Sequence, residues 1–281
     1  MKRLAILILL IMGCDNSTEP QDCAGVVNGT AVLSGCDNAC NSTAIVDCAG
    51  VCGGSSINDI EGNCYATVQI GEQLWMKENL KTTKYRDGTP IPSGHTYSDW
   101  IVLSTGAYAI YPADSPDDNT NFSETTCGDN CADIYGNLYN WYAVDDSKGL
   151  CPDGWHVSTD NEWKELEIYL GMSQDEANDI NYRGTNEGSK LAGNVDLWAN
   201  STLEENSEFS LSGFSAFPGG YRYTNPGGYT FIGESGIFWS SSESSSSTAL
   251  VRSLNYDRST IGRYDNRVKK VGYSIRCLAD N

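Results

Sequence analysis

Imidazole and thiol groups are the side chains of this sequence that could do chemistry near neutral pH, and they occur together in one short stretch. Residues 151–163, CPDGWHVSTDNEW, contain Cys151 and His156, one of two histidines in the chain. An imidazole titrates near neutrality, so His156 could act as a general base. Its position in a tight turn, directly after Trp155 and before a predicted helix cap, instead indicates a packed and hydrogen-bonded ring. We interpret His156 as structural.

Catalysis by a serine or cysteine would need further groups beside this histidine. The nucleophile requires a base and an orienting carboxylate, and the sequence has no Gly-x-Ser-x-Gly nucleophile motif. We therefore expect no enzyme activity, no catalytic residue and no cofactor.

The residues after His156 predict two helices. Thr159 and Glu162 have the spacing of a capping box, and the apolar residues that follow repeat at helical spacing as far as Gly171, which suits a helix end. Ser173 and Glu176 form a second box, which predicts a helix through QDEANDINYR, residues 174–183.

Most other segments predict short strands. ATVQIGEQLWM (66–76) reads as a hairpin around Gly71, and strand-like pieces separated by turns continue beyond residue 205. Near the end of the chain the residues alternate, which predicts one face pointing inward and one outward. The inward face is Val271, Tyr273, Ile275 and Cys277, and the outward face is Gly272, Ser274 and Arg276. The serine run 240–247 predicts a mobile surface loop.

The N-terminus predicts export and lipid anchoring. Lys2 and Arg3 precede an apolar run, residues 4–12, which is too short to span a bilayer and is typical of a signal peptide. The run ends in Ile-Met-Gly-Cys, which resembles a bacterial lipobox and makes Cys14 the lipidated residue of the mature chain. The alternative is an ordinary secretion signal with an unmodified Cys14.

The cysteine content fits an exported protein. The chain has 11 cysteines, and removing Cys14 leaves an even number, which suits disulfides in an oxidising compartment. Cys127 and Cys131 are separated by three residues rather than the two typical of zinc ribbons, so we expect them in disulfides and expect no metal.

Six of these cysteines fall in residues 23–64, a segment with an internal repeat. DCAGV occurs at 22–26 and again at 47–51. The segment has few large apolar residues, so disulfides would have to stabilise it. We interpret it as a disulfide-bonded spacer. The alternative is calcium binding by its aspartates, although no loop of alternating oxygen ligands is visible.

The charge excludes some partners and leaves one basic segment to explain. With 37 acidic and 18 basic residues, the net charge of −19 repels nucleic acid. Residues 252–276 nevertheless contain seven basic residues against two acidic ones. We favour the interpretation that these basic residues neutralise the acidic remainder of the protein. The alternative is an anion-facing patch for an acidic polysaccharide or a partner protein.

An ordered series of motifs spans residues 66 to 278. They are VQIGEQLWMKENLKTTKYRDGTPI, GAYAIY, YGNLYNWYAV, GLCPDGWHVSTDNEWKELEIYLG, SGFSAFPGGYR, FWSSSE and VGYSIRCL. This series resembles the Fibrobacter succinogenes major paralogous domain, a family of secreted proteins and surface lipoproteins with no established activity.

The resemblance implies an α+β, C-type-lectin-like fold of short, mostly antiparallel strands with two helices and long loops, preceded by the small disulfide-rich module. It also implies a disulfide between Cys151 and Cys277, and ligand contacts in the late strands, for which we select Trp239, Arg252 and Tyr256. The calcium-ligating triplets of sugar-binding C-type lectins are missing, so calcium-bridged sugar binding is not expected. Related formylglycine-generating enzymes use a reactive cysteine pair near the chain end, where this sequence has Cys277 alone.

The predicted organisation is a signal peptide (1–13), a lipid-anchored tether (14–22), a cysteine-rich repeat module (23–64) and the lectin-like domain (65–281). We expect a lipoprotein of the cell envelope, at the outer membrane or cell surface, that binds a polysaccharide or a surface protein in adhesion. The alternatives are a structural envelope lipoprotein without a small ligand and a divergent enzyme on a formylglycine-generating-like scaffold.

Overall fold

The computed structural model describes residues 19–111, 127, 130–224 and 228–280. The predicted signal peptide and the lipidation residue Cys14 lie outside the described residues. The chain divides into two compact units between Gly54 and Ser55, which places the boundary before the predicted one after residue 64.

The described residues form mixed α and β structure. The strands are β1 (Leu33–Ser34), β2 (Ala39–Cys40), β3 (Ile57–Asn58), β4 (Cys64–Tyr65), β5 (Thr67–Ile70), β6 (Gln73–Met76), β7 (Tyr108–Ala109), β8 (Leu138–Tyr139), β9 (Trp155–Val157), β10 (Asn181–Arg183), β11 (Gly219–Arg222), β12 (Tyr229–Ile232), β13 (Ser235–Glu243), β14 (Thr248–Asn255), β15 (Ile261–Val268) and β16 (Cys277–Ala279). The helices are α1 (Tyr97–Trp100), α2 (Cys131–Tyr135), α3 (Trp141–Val144), α4 (Asp160–Tyr169), α5 (Gln174–Asn178), α6 (Glu187–Leu191) and α7 (Thr202–Glu205), with a short 3-10 helix at Val195–Leu197.

The N-terminal unit consists of turns held by disulfides. Disulfides join Cys23 to Cys40 and Cys36 to Cys52. Asp22 accepts hydrogen bonds from the backbone amides two and four residues later, and Asp47 does the same in the second repeat. These amide bonds lower the pKa of Asp22. The aspartates of the repeat therefore cap their own backbone turns.

The same turn occurs a third time, in the larger unit. Asp59 accepts from the amides of Glu61 and Asn63, and Gly62 has the positive φ that Gly25 and Gly50 have in the two repeats. This copy has isoleucine where the repeats have cysteine, which is why the sequence repeat did not show it.

A four-stranded sheet in the order β5, β6, β16, β9 holds the hairpin and the end of the chain. The predicted hairpin is confirmed, with Val68 opposite Trp75. The last strand, β16, lies antiparallel to β9 with Cys277 opposite Val157. The Cys151–Cys277 disulfide closes a sequence separation of 126 residues beside this pair.

The alternation predicted before Cys277 is wrong in one respect. Cys277 is buried as expected, but Ser274 and Arg276 are also fully buried. The Arg276 guanidinium donates to Asn79 Oδ1 at 2.9 Å and to the Met76 carbonyl at 3.1 Å. Both faces of this segment are therefore covered, because internal acceptors replace water around the arginine.

A six-stranded sheet in the order β10, β15, β14, β13, β11, β12 dominates the larger unit. One side packs Phe238 and Leu254 against Trp163 and Leu166 of α4. The other side packs Trp239 into the cluster that contains Tyr139 and Trp141. The sheet therefore has core on both sides.

Both predicted capping boxes are confirmed, at Thr159–Glu162 and Ser173–Glu176. The second helix is shorter than predicted. It ends at Asn178, and the next residues form β10, which pairs with β15. Edge pairing with a long strand outweighs the weak helix propensity of this asparagine-rich segment.

The serine run does not form the predicted loop. Its first residues complete β13, with Ser240 fully buried, and Thr248 already begins β14. Residues 244–247 make a short turn in which the Ser244 and Ser245 amides donate to the Thr248 carbonyl.

Candidate functional site

His156 lies in β9 with both ring nitrogens in use. Nδ1 is 2.6 Å from Asp280 Oδ1, and Nε2 is 2.9 Å from Glu162 Oε1. The hydrogen bond with Glu162, assisted by Asp280, raises the pKa of His156. The predicted hydrogen-bonded ring is confirmed. It links β9 to the capping residue of α4 and to the residue that follows β16.

Two of the three predicted ligand contacts are wrong. Trp239 and Arg252 are both 0% exposed. Trp239 packs edge-on against Tyr273 with ring centroids 4.8 Å apart, and its indole nitrogen donates to the Tyr139 carbonyl. A side chain enclosed in this way cannot touch a ligand at the surface.

Arg252 belongs to a buried ion network under α4. It donates to Glu167 Oε1 at 2.6 Å and to Asp160 Oδ1 at 2.8 Å. Arg183 and Arg263 complete the network on the same two carboxylates. Burial alone would raise the pKa of Asp160, but the hydrogen bonds from Arg263 and Arg252 hold it well below its usual range.

Tyr256, the third predicted contact, is half-buried against the core cluster on the α4 side of the sheet. Its amide donates to the Glu234 carbonyl at 2.9 Å, and its carbonyl accepts from the Leu203 amide. Its role in ligand contact stays a prediction.

Most of the basic segment 252–276 points inward or is paired. Lys269 contacts Glu243 and lies over the Trp141 ring, and Lys270 donates to the Ile101 carbonyl. With Arg252 and Arg263 bound to acids on α4, the favoured interpretation, neutralisation inside the protein, describes this part of the segment. Arg258 and Arg267 remain partly exposed.

Those two arginines lie on the side of the six-stranded sheet that faces away from α4. Along β15, Ile261 and Arg263 point toward α4, so Gly262 and Tyr264 point the other way. Tyr182 of β10 lies directly opposite Gly262 and therefore shares its face.

The four side chains form a row in which the two rings lie between the two cations. The Arg258 guanidinium lies 4.1 Å from the Tyr182 ring centroid, and Arg267 lies 4.2 Å from that of Tyr264. The two rings pack edge-on, with centroids 5.8 Å apart. Gly262 permits this packing, because a Cβ there would come within 2.7 Å of the Tyr264 ring.

A second aromatic group lies on the β11–β12 hairpin of the same sheet. Tyr221 stacks on Phe231 with centroids 5.8 Å and planes 22° apart, and it also contacts Tyr223. Phe231 has φ of 61°, a left-handed conformation that is rare for a bulky residue. Strain of this kind, about 1–3 kcal/mol, persists only where the surroundings hold it.

Tyr273 lies between the two groups. Its ring packs edge-on against Tyr221, with centroids 5.6 Å apart. Burial raises the pKa of the Tyr273 phenol, and the charge of Arg267 opposes that rise. On the strands between the groups, Ile237 and Ser253 lie opposite each other in register, and both are buried. We call the five partly exposed rings around this strip the aromatic face. They are Tyr182, Tyr221, Tyr223, Phe231 and Tyr264.

Sequence reasoning did not select these five residues. Tyr221 and Phe231 lie in segments that were predicted as strands, and Tyr182 lies in a predicted helix. Strand alternation alone does not say which face is open. The one available signal was the density of tyrosine and glycine in PGGYRY and GGYTF.

No metal centre is evident in the described part of the chain, where no group of three or more histidine, cysteine or acidic side chains is placed to hold an ion. Within the same residues, no helix has the length and apolar character needed to cross a bilayer.

The profile of the Fibrobacter succinogenes major domain matches residues 68–279, three quarters of the chain. The chain belongs to the Fibrobacter succinogenes major domain family. The match contains the six-stranded sheet, all but the first residue of the four-stranded sheet, the Cys151–Cys277 disulfide and all five residues of the aromatic face. No curated protein and no solved structure matches the chain.

Proposed function

We propose that this protein is a lipid-anchored lipoprotein of the bacterial surface whose lectin-like domain binds a glycan through the aromatic face. The observation that carries the proposal is the clustering of five partly exposed rings on one side of the large sheet. Aromatic rings left open to solvent offer apolar faces that stack on the C–H faces of sugar rings, and tyrosine adds a hydroxyl for hydrogen bonding.

The dimensions of the face suit an extended ligand. Tyr182 on β10 and Tyr221 on β11 are four strands apart in the sheet order. Strands are about 4.8 Å apart, so the two rings are separated by roughly 19 Å. That distance accommodates several sugar rings in a row, as an oligosaccharide or polysaccharide presents them.

The other parts of the proposal concern the scaffold and its attachment. A C-type-lectin-like fold is supported by the order of β9, two capped helices and a last strand that returns beside β9, with Cys151 bonded to Cys277. Lipidation at Cys14 would attach the protein to the envelope, with the disulfide-bonded N-terminal unit as a spacer. We propose no catalytic role.

Retention of the full chain on immobilised glycans, including insoluble polysaccharides, tests the proposal. We expect Tyr221→Ala and Tyr264→Ala to reduce retention at least tenfold. Tyr169→Ala is the matched control, because Tyr169 is 65% exposed on α4, on the other side of the sheet. Equal retention of all four proteins would remove the aromatic face as the binding site. If no glycan retains the protein but envelope protein does, the ligand is a protein partner.

A further inference from the structure

We infer that the ligand of the aromatic face is an acidic polysaccharide, with a carboxylate or sulfate of the chain on Arg267 and sugar rings on Tyr264 and Tyr221. The inference rests on the proposed function and specifies its ligand class. It follows from the position of one cation relative to the rings.

Arg267 differs from the other arginines of its segment in its partners. Arg252 and Arg263 are bound to acids on α4, and Arg258 forms a salt bridge with Asp257. Among the residues that the structure describes, no acidic side chain lies within 4.0 Å of the Arg267 guanidinium and no acceptor is hydrogen-bonded to it. The Arg267 guanidinium contacts the Tyr264 ring. A guanidinium fixed over a ring keeps its N–H donors available for a planar carboxylate or a sulfate.

Arg267 lies over the Tyr264 ring at 4.2 Å from its centroid. Its charge acts on the Tyr264 phenol on one side and on the Tyr273 phenol on the other, and Tyr273 in turn contacts Tyr221. An anionic group of a ligand that contacts Tyr264 is therefore within reach of this cation.

Nearby acids do not cancel the cation on this side of the sheet. Asp265 follows Tyr264 at an irregularity in the pairing of β15 with β14, and its charge acts on Arg263, which points toward α4. The charge of the whole protein is −19, but salt screens it beyond about 8 Å at physiological ionic strength. Contact with the face therefore depends on the local groups. The carboxylates among them are already bound to other cations, Asp257 to Arg258 and Glu243 to Lys269, whereas Arg267 is not bound to either.

Two polymers with one backbone separate charge from sugar recognition. Polygalacturonate and its fully methyl-esterified form differ in the carboxylate alone. We expect the full chain to bind polygalacturonate at least tenfold more tightly than the ester, and the advantage to shrink as salt is raised. Arg267→Gln should abolish the advantage, and Arg267→Lys should restore part of it.

Lys84→Gln is the control with the same charge change, since Lys84 is an exposed residue outside the large sheet. Equal binding of both polymers by the native chain and by Arg267→Gln would overturn the inference. If tyrosine variants still abolish that equal binding, the proposed glycan site stands and its ligand is neutral. If the native chain binds neither these polymers nor any other glycan, the proposed function fails as well.

Discussion

Arg252 donates to Glu167 at 2.6 Å, and neither side chain has any surface exposed to solvent. The pair joins the middle of the large sheet to α4. A buried carboxylate and guanidinium each cost several kcal/mol to desolvate, and they are tolerated because they satisfy each other. Removing the charge of Glu167 would leave buried Arg183 without its carboxylate and Arg252 with Asp160 alone.

We therefore expect Glu167→Gln to lower the free energy of unfolding by about 3–5 kcal/mol. Arg258→Gln is the matched control. It breaks an exposed ion pair with Asp257, and we expect it to lower the free energy of unfolding by only about 0–1 kcal/mol. Urea unfolding of the two variants measures both values. A loss below about 1 kcal/mol for Glu167→Gln would show that the network contributes little.

The disulfide between Cys151 and Cys277 should be the most effective cross-link of the larger unit. It closes a sequence separation of 126 residues, whereas Cys127–Cys131 closes four. On the chain-entropy account, replacing Cys151 and Cys277 by serine costs about 4–5 kcal/mol. The corresponding change at Cys127 and Cys131 should cost distinctly less. Thermal unfolding of the two double variants shows which of them is less stable. A greater loss of stability on replacing Cys127 and Cys131 would contradict the prediction.

The His156 cluster gives stability a specific pH dependence. Its contacts with Glu162 and Asp280 raise the pKa of His156 above the usual histidine value of 6.5. The folded state then holds a proton that the unfolded state releases. The stabilisation is fully present below pH 6.5 and is lost as pH rises through the higher folded pKa.

His156→Gln should remove this pH-dependent contribution to the free energy of unfolding. Unfolding free energies measured between pH 5 and 9 should converge for the native chain and the variant at the alkaline end, apart from a constant offset. A difference that does not change with pH would show that the ring is held by packing alone.

Gly262 should control the shape of the aromatic face. A methyl group there would meet the Tyr264 ring at 2.7 Å and the Tyr182 ring at 3.2 Å, so the rings must separate. We expect Gly262→Ala to destabilise the protein by about 1–3 kcal/mol and to weaken glycan binding without removing either ring. Ser253→Ala, a smaller change on the neighbouring strand, is the control. Unchanged glycan binding by Gly262→Ala in a retention assay would argue against the tyrosine pair as a ligand contact.

Lipidation is testable on the mature protein. Mass spectrometry of the N-terminal peptide should find a chain that begins at an acylated Cys14. Cys14→Ser should abolish the acyl mass and release the protein from membranes. A native chain that begins elsewhere without acylation would overturn the anchor.

Local sequence signals predicted the local structure well. The capping boxes at Thr159–Glu162 and Ser173–Glu176 are formed, because a cap depends on residues three apart. The hairpin around Gly71 is likewise a local feature. Capping boxes and hairpins depend on residues close in sequence, so they form whichever distant segments pack against them.

Burial was predicted poorly wherever distant segments decide it. Arg252 and Arg276 read as surface charges, yet their acceptors come from residues 79 and 167, far away in sequence. Tyr182 read as helical because its partner strand, β15, begins at Ile261. The aromatic face was missed for the same reason, since its rings come from four separate strands and meet only in the folded sheet.

The edges of the large sheet also affect how readily molecules of the protein pair through their strands at high concentration. Its central strands β13, β14 and β15 have nine, eight and eight residues, but the edge strands β10 and β12 have only three and four. An exposed edge is a template on which another chain can add a strand, and a short edge offers few unpaired backbone groups. The short edges therefore disfavour edge-to-edge pairing of sheets from different molecules.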